Sequence, residues 1–128
     1  MLADLASHLD EEVDVLMGKP MPIKTATYFY TNYKQDASRF DSYKQVQWLV
    51  DSEKRIQEYI ELAKSLRQKL RLNLEIDVGL HRGGFGNIDQ LKRGLELISQ
   101  NKNLVTFSGL MGYDAHVTKL PAVVRSKK

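Results

Sequence analysis

Four short apolar runs, separated by helix-length amphipathic segments, constrain this chain more than any other feature. They begin at Val13, Val46, Leu72 and Leu104, at separations of 33, 26 and 32 residues. Connections of that length are far longer than hairpin turns and suit strand–helix–strand crossovers, which join parallel strands. The chain therefore reads as α-β-α-β-α-β-α-β, an α/β fold without a domain boundary or low-complexity insert. Periodicity alone leaves two architectures open: part of a (β/α)8 barrel, or an open doubly wound parallel sheet.

The individual segments support that order. Leu2, Leu5, Ala6 and Leu9 predict a short helix over residues 2–11, and Val13 to Met17 a buried strand closed by Gly18. Pro20 and Pro22 suit the first turn of a helix running Ile23 to Tyr33, where Tyr28, Phe29, Tyr30 and Tyr33 form an aromatic, core-facing side. Gln35 to Lys44 reads as a polar loop and Val46 to Val50 as the second strand. Asp51 and Ser52 offer cap oxygens to a helix carrying Ile56, Tyr59, Ile60, Ala63 and Leu66 on one face. Lys64, Arg67, Lys69 and Arg71 read as its solvated basic end. Leu72, Leu74, Ile76 and Val78 alternate with Asn73, Glu75, Asp77 and Gly79, a period of two that marks the third strand. Asn87 and Gln90 cap the next helix, with Ile88, Leu91, Leu95 and Ile98 as its apolar stripe, and Leu104 to Met111 is the fourth strand.

Composition excludes several classes. The chain has no cysteine, so disulfides, thiolate zinc sites and a thiol nucleophile are absent. No run approaches the roughly 20 apolar residues of a membrane span, and the acidic, amphipathic start MLADLASHLDEE is no secretory signal. We expect a cytoplasmic protein with no membrane partner. The net charge is +3, but Arg125, Lys127 and Lys128 account for all of it. A basic tail over 121–128 is a poor footprint for nucleic acid, and none is expected as a partner.

Chemistry concentrates in NLEIDVGLHRGGFG, residues 73–86, where four of the eight glycines fall. Ligands of parallel α/β proteins bind at the carboxyl ends of strands, where this segment lies. Asn73, Glu75 and Asp77 form a polar face opposite an apolar one, and buried carboxylates are costly without partners. Such a file belongs beneath a site. Arg82 follows, placed to meet an anion or an electron-rich ring atom, while Gly83 and Gly84 allow close backbone approach. The competing structural reading pairs Glu75 or Asp77 with Arg82 and makes the glycines a turn. Neither a GxGxxG fingerprint nor a Walker A loop is present, and Pro20 removes Lys19 from any such loop.

The end of the fourth strand, FSGLMGYDAH, brings Tyr113, Asp114 and His116 together. Tyr113 could stack on a planar ligand or donate its hydroxyl, which makes it the catalytic candidate. His116 reads as a surface residue, His8 as solvent-facing and His81 as a site neighbour. The three histidines lack metal-ligand spacing, and Ser108 is in no nucleophile elbow.

Together, LRLNLEIDVGLHRGGFG and FSGLMGYDAHV resemble the N-terminal barrel domain of the alanine racemase family, and within it the D-threonine aldolase and D-serine dehydratase-like branch. The family pattern D-x-G-x-x-R-x-G is matched by Asp77, Gly79, Arg82 and Gly84. An aromatic-G-[IL] strand ending in His or Tyr, about 25 residues on, is matched by Phe107, Gly109, Leu110 and Tyr113. The resemblance implies a (β/α)8 barrel binding pyridoxal 5′-phosphate, with residues 1–120 as a partial barrel domain. It implies that Arg82 hydrogen-bonds the cofactor's phenolic oxygen and that Tyr113 packs against its pyridine ring. Glu75 then stands where alanine racemases have a lysine that supports this arginine, with Asp77 as a further cofactor-site residue.

The family attaches its cofactor to a lysine on the first barrel strand. Here the first strand resembles the family's third, so the covalent lysine is not identified, and Lys19 lies on a different strand. The resemblance thus implies strands three to six, about half of a barrel that takes about 250 residues when complete. The implied function is a fragment of a pyridoxal phosphate-dependent amino-acid racemase, aldolase or dehydratase-like enzyme, giving one wall of the cofactor site and inactive alone. The alternative is a non-catalytic α/β module binding a small anionic ligand or a partner subunit. The resemblance implies an amino-acid substrate as the partner of the complete enzyme. Unpaired edges in a half-barrel predict self-association or complementation by the missing strands.

Overall fold

A computed structural model describes residues 1–33 and 39–114. His116 and the basic tail lie outside the described residues. The elements are α1 (Leu2–Ala6), β1 (Val15–Leu16), α2 (Ile23–Asn32), α3 (Ser42–Gln45), β2 (Val46–Val50), α4 (Glu53–Leu66), β3 (Leu70–Ile76), α5 (Ile88–Gln100) and β4 (Val105–Gly112).

The four strands form one parallel sheet in sequence order, β1-β2-β3-β4. Each crossover moves one strand over in the same direction, which keeps the helices on one face. That singly wound order is the arc of a barrel. A doubly wound sheet would reverse direction and place helices on both faces. The core confirms the one-sided layering. Val46, Trp48 and Val50 of β2, Leu70, Leu72 and Leu74 of β3, and Val105 of β4 cluster with Phe29 of α2, with Ile56, Tyr59, Ile60 and Ala63 of α4, and with Ile98 of α5. All are buried, and register aligns Trp48 with Leu72 and Val50 with Leu74. The alternate residues Gln47, Leu49, Arg71, Asn73 and Glu75 form the opposite, inner face.

Several boundaries differ from the sequence expectation, each for a local reason. The first helix stops at Ala6, and Asp10 turns the chain by accepting from the Glu12 amide. The first strand is cut to Val15–Leu16. The expected loop ends in a helical turn, α3, because the Asp41 carboxylate caps the Tyr43 and Lys44 amides. The third strand starts at Leu70 and ends at Ile76, leaving Val78 outside the sheet. Arg71 is consequently a strand residue that pairs with Asp14 at 2.7 Å, and no part of a helix end. Tyr28 points to solvent at 68% exposure, and Ile88 does so at 70%, so the apolar stripe of α5 begins at Leu91. No helix among the described residues is long and apolar enough to cross a membrane.

Candidate functional site

The polar inner face of β3 leads directly into the site. Arg71, Asn73 and Glu75 stand in file, and the last two are buried to 5% and 4% exposure. The Asp14 carboxylate accepts from Gln47 Nε2 at 2.8 Å, and Gln47 Oε1 accepts from Asn73 Nδ2 at 3.1 Å. An acceptor-only carboxylate at one end fixes both amide orientations. Asn73 Oδ1 is then left as a buried acceptor without a partner among the described residues. A Cβ on Gly109 would lie 2.9 Å from Asn73 Nδ2, so the glycine of β4, at φ +152°, makes room for this amide.

Beyond β3 the chain makes a closed loop. Phe85 N donates to Glu75 O at 2.8 Å and Asp77 N donates to Phe85 O at 3.0 Å, pinching residues 77–85 at their base. Gly84, at φ +93°, is needed here: a Cβ would stand 2.7 Å from the Glu75 carbonyl oxygen. Inside the loop Asp77 Oδ1 accepts from the Gly79 and His81 amides at 2.9 and 3.0 Å, and Oδ2 meets His81 Nδ1 at 2.7 Å. These bonds, the Gly79 amide foremost, hold the Asp77 carboxyl below its ordinary range. His81 adopts φ +53° and is exposed. Asp77 thus shapes the loop.

The loop delivers Arg82 back over the strand end. Its Nη2 donates to Glu75 Oε1 at 3.0 Å. The guanidinium carbon sits 4.2 Å from the centre of the Tyr113 ring, which follows β4. An arginine held at one end by a buried carboxylate and stacked on an aromatic face keeps a fixed plane. Arg82 remains 37% exposed, and Tyr113 46%. Three of the four expected site residues therefore meet at one point, and Asp77 lies at the loop base beside them. Ser108 is structural, donating to Leu72 O at 2.9 Å at the register shift opposite Leu72 and Asn73.

A cleft of about 320 Å³ opens here, lined by Lys19, Pro20, Asp51, Arg55, Glu75, Arg82 and Gly83. Its walls come from the carboxyl ends of β1, β2 and β3, the position that parallel α/β folds use for ligands. Asp51 and Arg55 enter the site without having been expected there. Asp51 reads from the sequence as a cap of α4 and Arg55 lies in that helix's first turn; the parallel register of β1, β2 and β3 places them beside Arg82. The donor set fits one end of pyridoxal phosphate. The guanidinium offers planar donors beyond the one bonded to Glu75, suited to a phenolate oxygen, beside an aromatic wall.

Residues 7–126 match the alanine racemase N-terminal domain family. Among solved structures, an alanine racemase of Clostridium difficile 630 is 24% identical with a TM-score of 0.61, the match covering 81% of this chain and 24% of that one. A histidine racemase from Leuconostoc mesenteroides subsp. sake is 15% identical with a TM-score of 0.66, over 89% of this chain and 27% of that one. An alanine racemase from Bacillus anthracis with bound L-Ala-P is 16% identical with a TM-score of 0.62, over 89% and 26% respectively. The chain thus spans about a quarter of the length of these structures. No curated protein gives a significant match.

Proposed function

The chain belongs to the alanine racemase N-terminal domain family, and from that premise we propose that it forms one wall of a pyridoxal phosphate site in an amino-acid racemase, aldolase or dehydratase-like enzyme. The observation that carries this reading is Arg82, fixed between the Glu75 carboxylate and the Tyr113 ring at the mouths of parallel strands. The cofactor, when bound, supplies an electron sink for a carbanion at the amino acid's Cα. This chain's residues would bind and orient it. Arg82 would donate to the phenolic oxygen, Glu75 would hold the guanidinium in place and balance its charge, and Tyr113 would keep water from one side. Within the family, the resemblance of the segments 70–86 and 107–117 supports placement in the D-threonine aldolase and D-serine dehydratase-like branch.

In this reading the 128 residues bind the cofactor without turnover. Titration of the chain with pyridoxal 5′-phosphate, followed by borohydride reduction and peptide mapping, tests it. We expect reversible binding that Arg82→Gln weakens at least about five-fold, the loss of one charge-assisted hydrogen bond at a half-exposed site. A stoichiometric reduced adduct on a single lysine, or racemisation of an amino acid by this chain, would overturn the wall-only role. Equal affinity in Arg82→Gln would overturn the assignment of the arginine.

A further inference from the structure

Lys19 lines the same cleft as Arg82, although its sequence context excludes it from any phosphate loop. The three cations of the cleft are unequal. Arg82 is paired with Glu75, and Arg55 lies 3.9 Å from Asp51 and 2.8 Å from Glu58. Lys19 has no ion pair among the described residues. Two lining carboxylates, Asp51 and Glu75, thus each face an arginine, and among the described residues the ammonium of Lys19 is the cleft's uncommitted charge.

Its backbone is also restrained. Met17 N extends the β1 pairing by donating to Gln47 O at 3.0 Å, which anchors the chain one residue before Gly18 and two before Lys19. Pro20 follows, and a residue before proline is confined to extended conformations. The lysine is therefore presented from a short, braced turn at a strand mouth. A lysine ammonium is a compact charge with three donors and binds carboxylate or phosphate oxygens without demanding a planar partner.

We infer that Lys19 is the anion-binding residue of this cleft, holding the carboxylate or phosphate oxygens of the small ligand whose other end meets Arg82. The inference rests on the reading of the cleft as the ligand site, but its test does not require the cofactor. Acetate and inorganic phosphate are titrated separately into the ¹⁵N-labelled chain while the amides of Gly18, Lys19, Gly83 and Gly84 are followed. We expect saturable shifts at these amides with at least one anion. Lys19→Gln weakens binding at least about five-fold, Lys19→Arg retains it within about two-fold, and Lys64→Gln, on the far end of α4, leaves it unchanged. A response to acetate alone assigns the substrate's carboxylate; a response to phosphate alone assigns a phosphate group. Absence of saturable shifts with both anions, or equal binding by Lys19→Gln and the parent, overturns the inference. If Arg82 governs pyridoxal phosphate affinity while Lys19→Gln changes nothing, this inference fails and the cofactor wall stands. If pyridoxal phosphate does not bind but the anion response depends on Lys19, the reverse holds.

Discussion

Glu75 and Asp77 stand two residues apart, yet their carboxylates serve different ends. Glu75 is buried and holds Arg82 across the cleft, whereas Asp77 ties its own loop through two amides and His81. Because those bonds favour the ionised form, the folded Asp77 pKa lies below the unfolded value. Its contribution to stability is therefore fully present above that value and is lost as pH falls through the folded pKa. The Gly79 and His81 amide resonances should titrate together with a midpoint below the ordinary aspartate range. In Asp77→Asn that step should vanish, and an unchanged titration would assign the proton to another group. The Glu75–Arg82 pairing was already one of the two readings open from the sequence, since both residues flank one glycine loop. The stacking of Arg82 on Tyr113 was not legible, because it depends on how far β4 extends beside β3.

At the scale of elements, the strands and helices that close the core follow from periodicity and caps. Ser52 accepts from the Arg55 amide and Asn87 from the Gln90 amide, both at the expected positions. The far end of β3 falls short of the expected one because apolar alternation continues past the hydrogen-bonded ladder. Val78 keeps the period of β3, but the loop pinch at Glu75, Asp77 and Phe85 has by then replaced strand pairing. That pinch depends on Gly84. Gly84→Ala places a methyl against the Glu75 carbonyl at a positive φ, and should cost about 1–3 kcal/mol. Gly86→Ala meets only Gln90 Oε1, at the ordinary distance of 3.6 Å, and should stay within about 0.5 kcal/mol. Urea unfolding of the two variants measures the difference. Equal midpoints would mean that the loop base can move away from β3 without loss.

For the molecule as a whole, the decisive fact is strand order, which the pattern of apolar runs could not supply. Alternating βα units serve barrels and open sheets alike, and the sequential pairing puts the crossover helices α2, α4 and α5 on one side. The same arrangement leaves β4 with apolar residues on the helix face that remain in contact with solvent. Phe107 and Leu110 sit opposite Leu72 and Leu74 in the register, yet are 42% and 50% exposed, against complete burial of their partners. Among the described residues β4 pairs along one edge, with β3. An open edge beside exposed apolar side chains favours pairing with another chain. Burying both side chains is worth about 1.5 kcal/mol or more apiece, in addition to the main-chain pairing of the edge, and concentration-dependent association is expected by sedimentation velocity. Phe107→Thr with Leu110→Thr keeps good strand formers and removes most of the apolar area. The double variant should sediment as a monomer where the parent associates. A parent chain that stays monomeric at tens of micromolar would place the stabilising contacts of this sheet within the single chain.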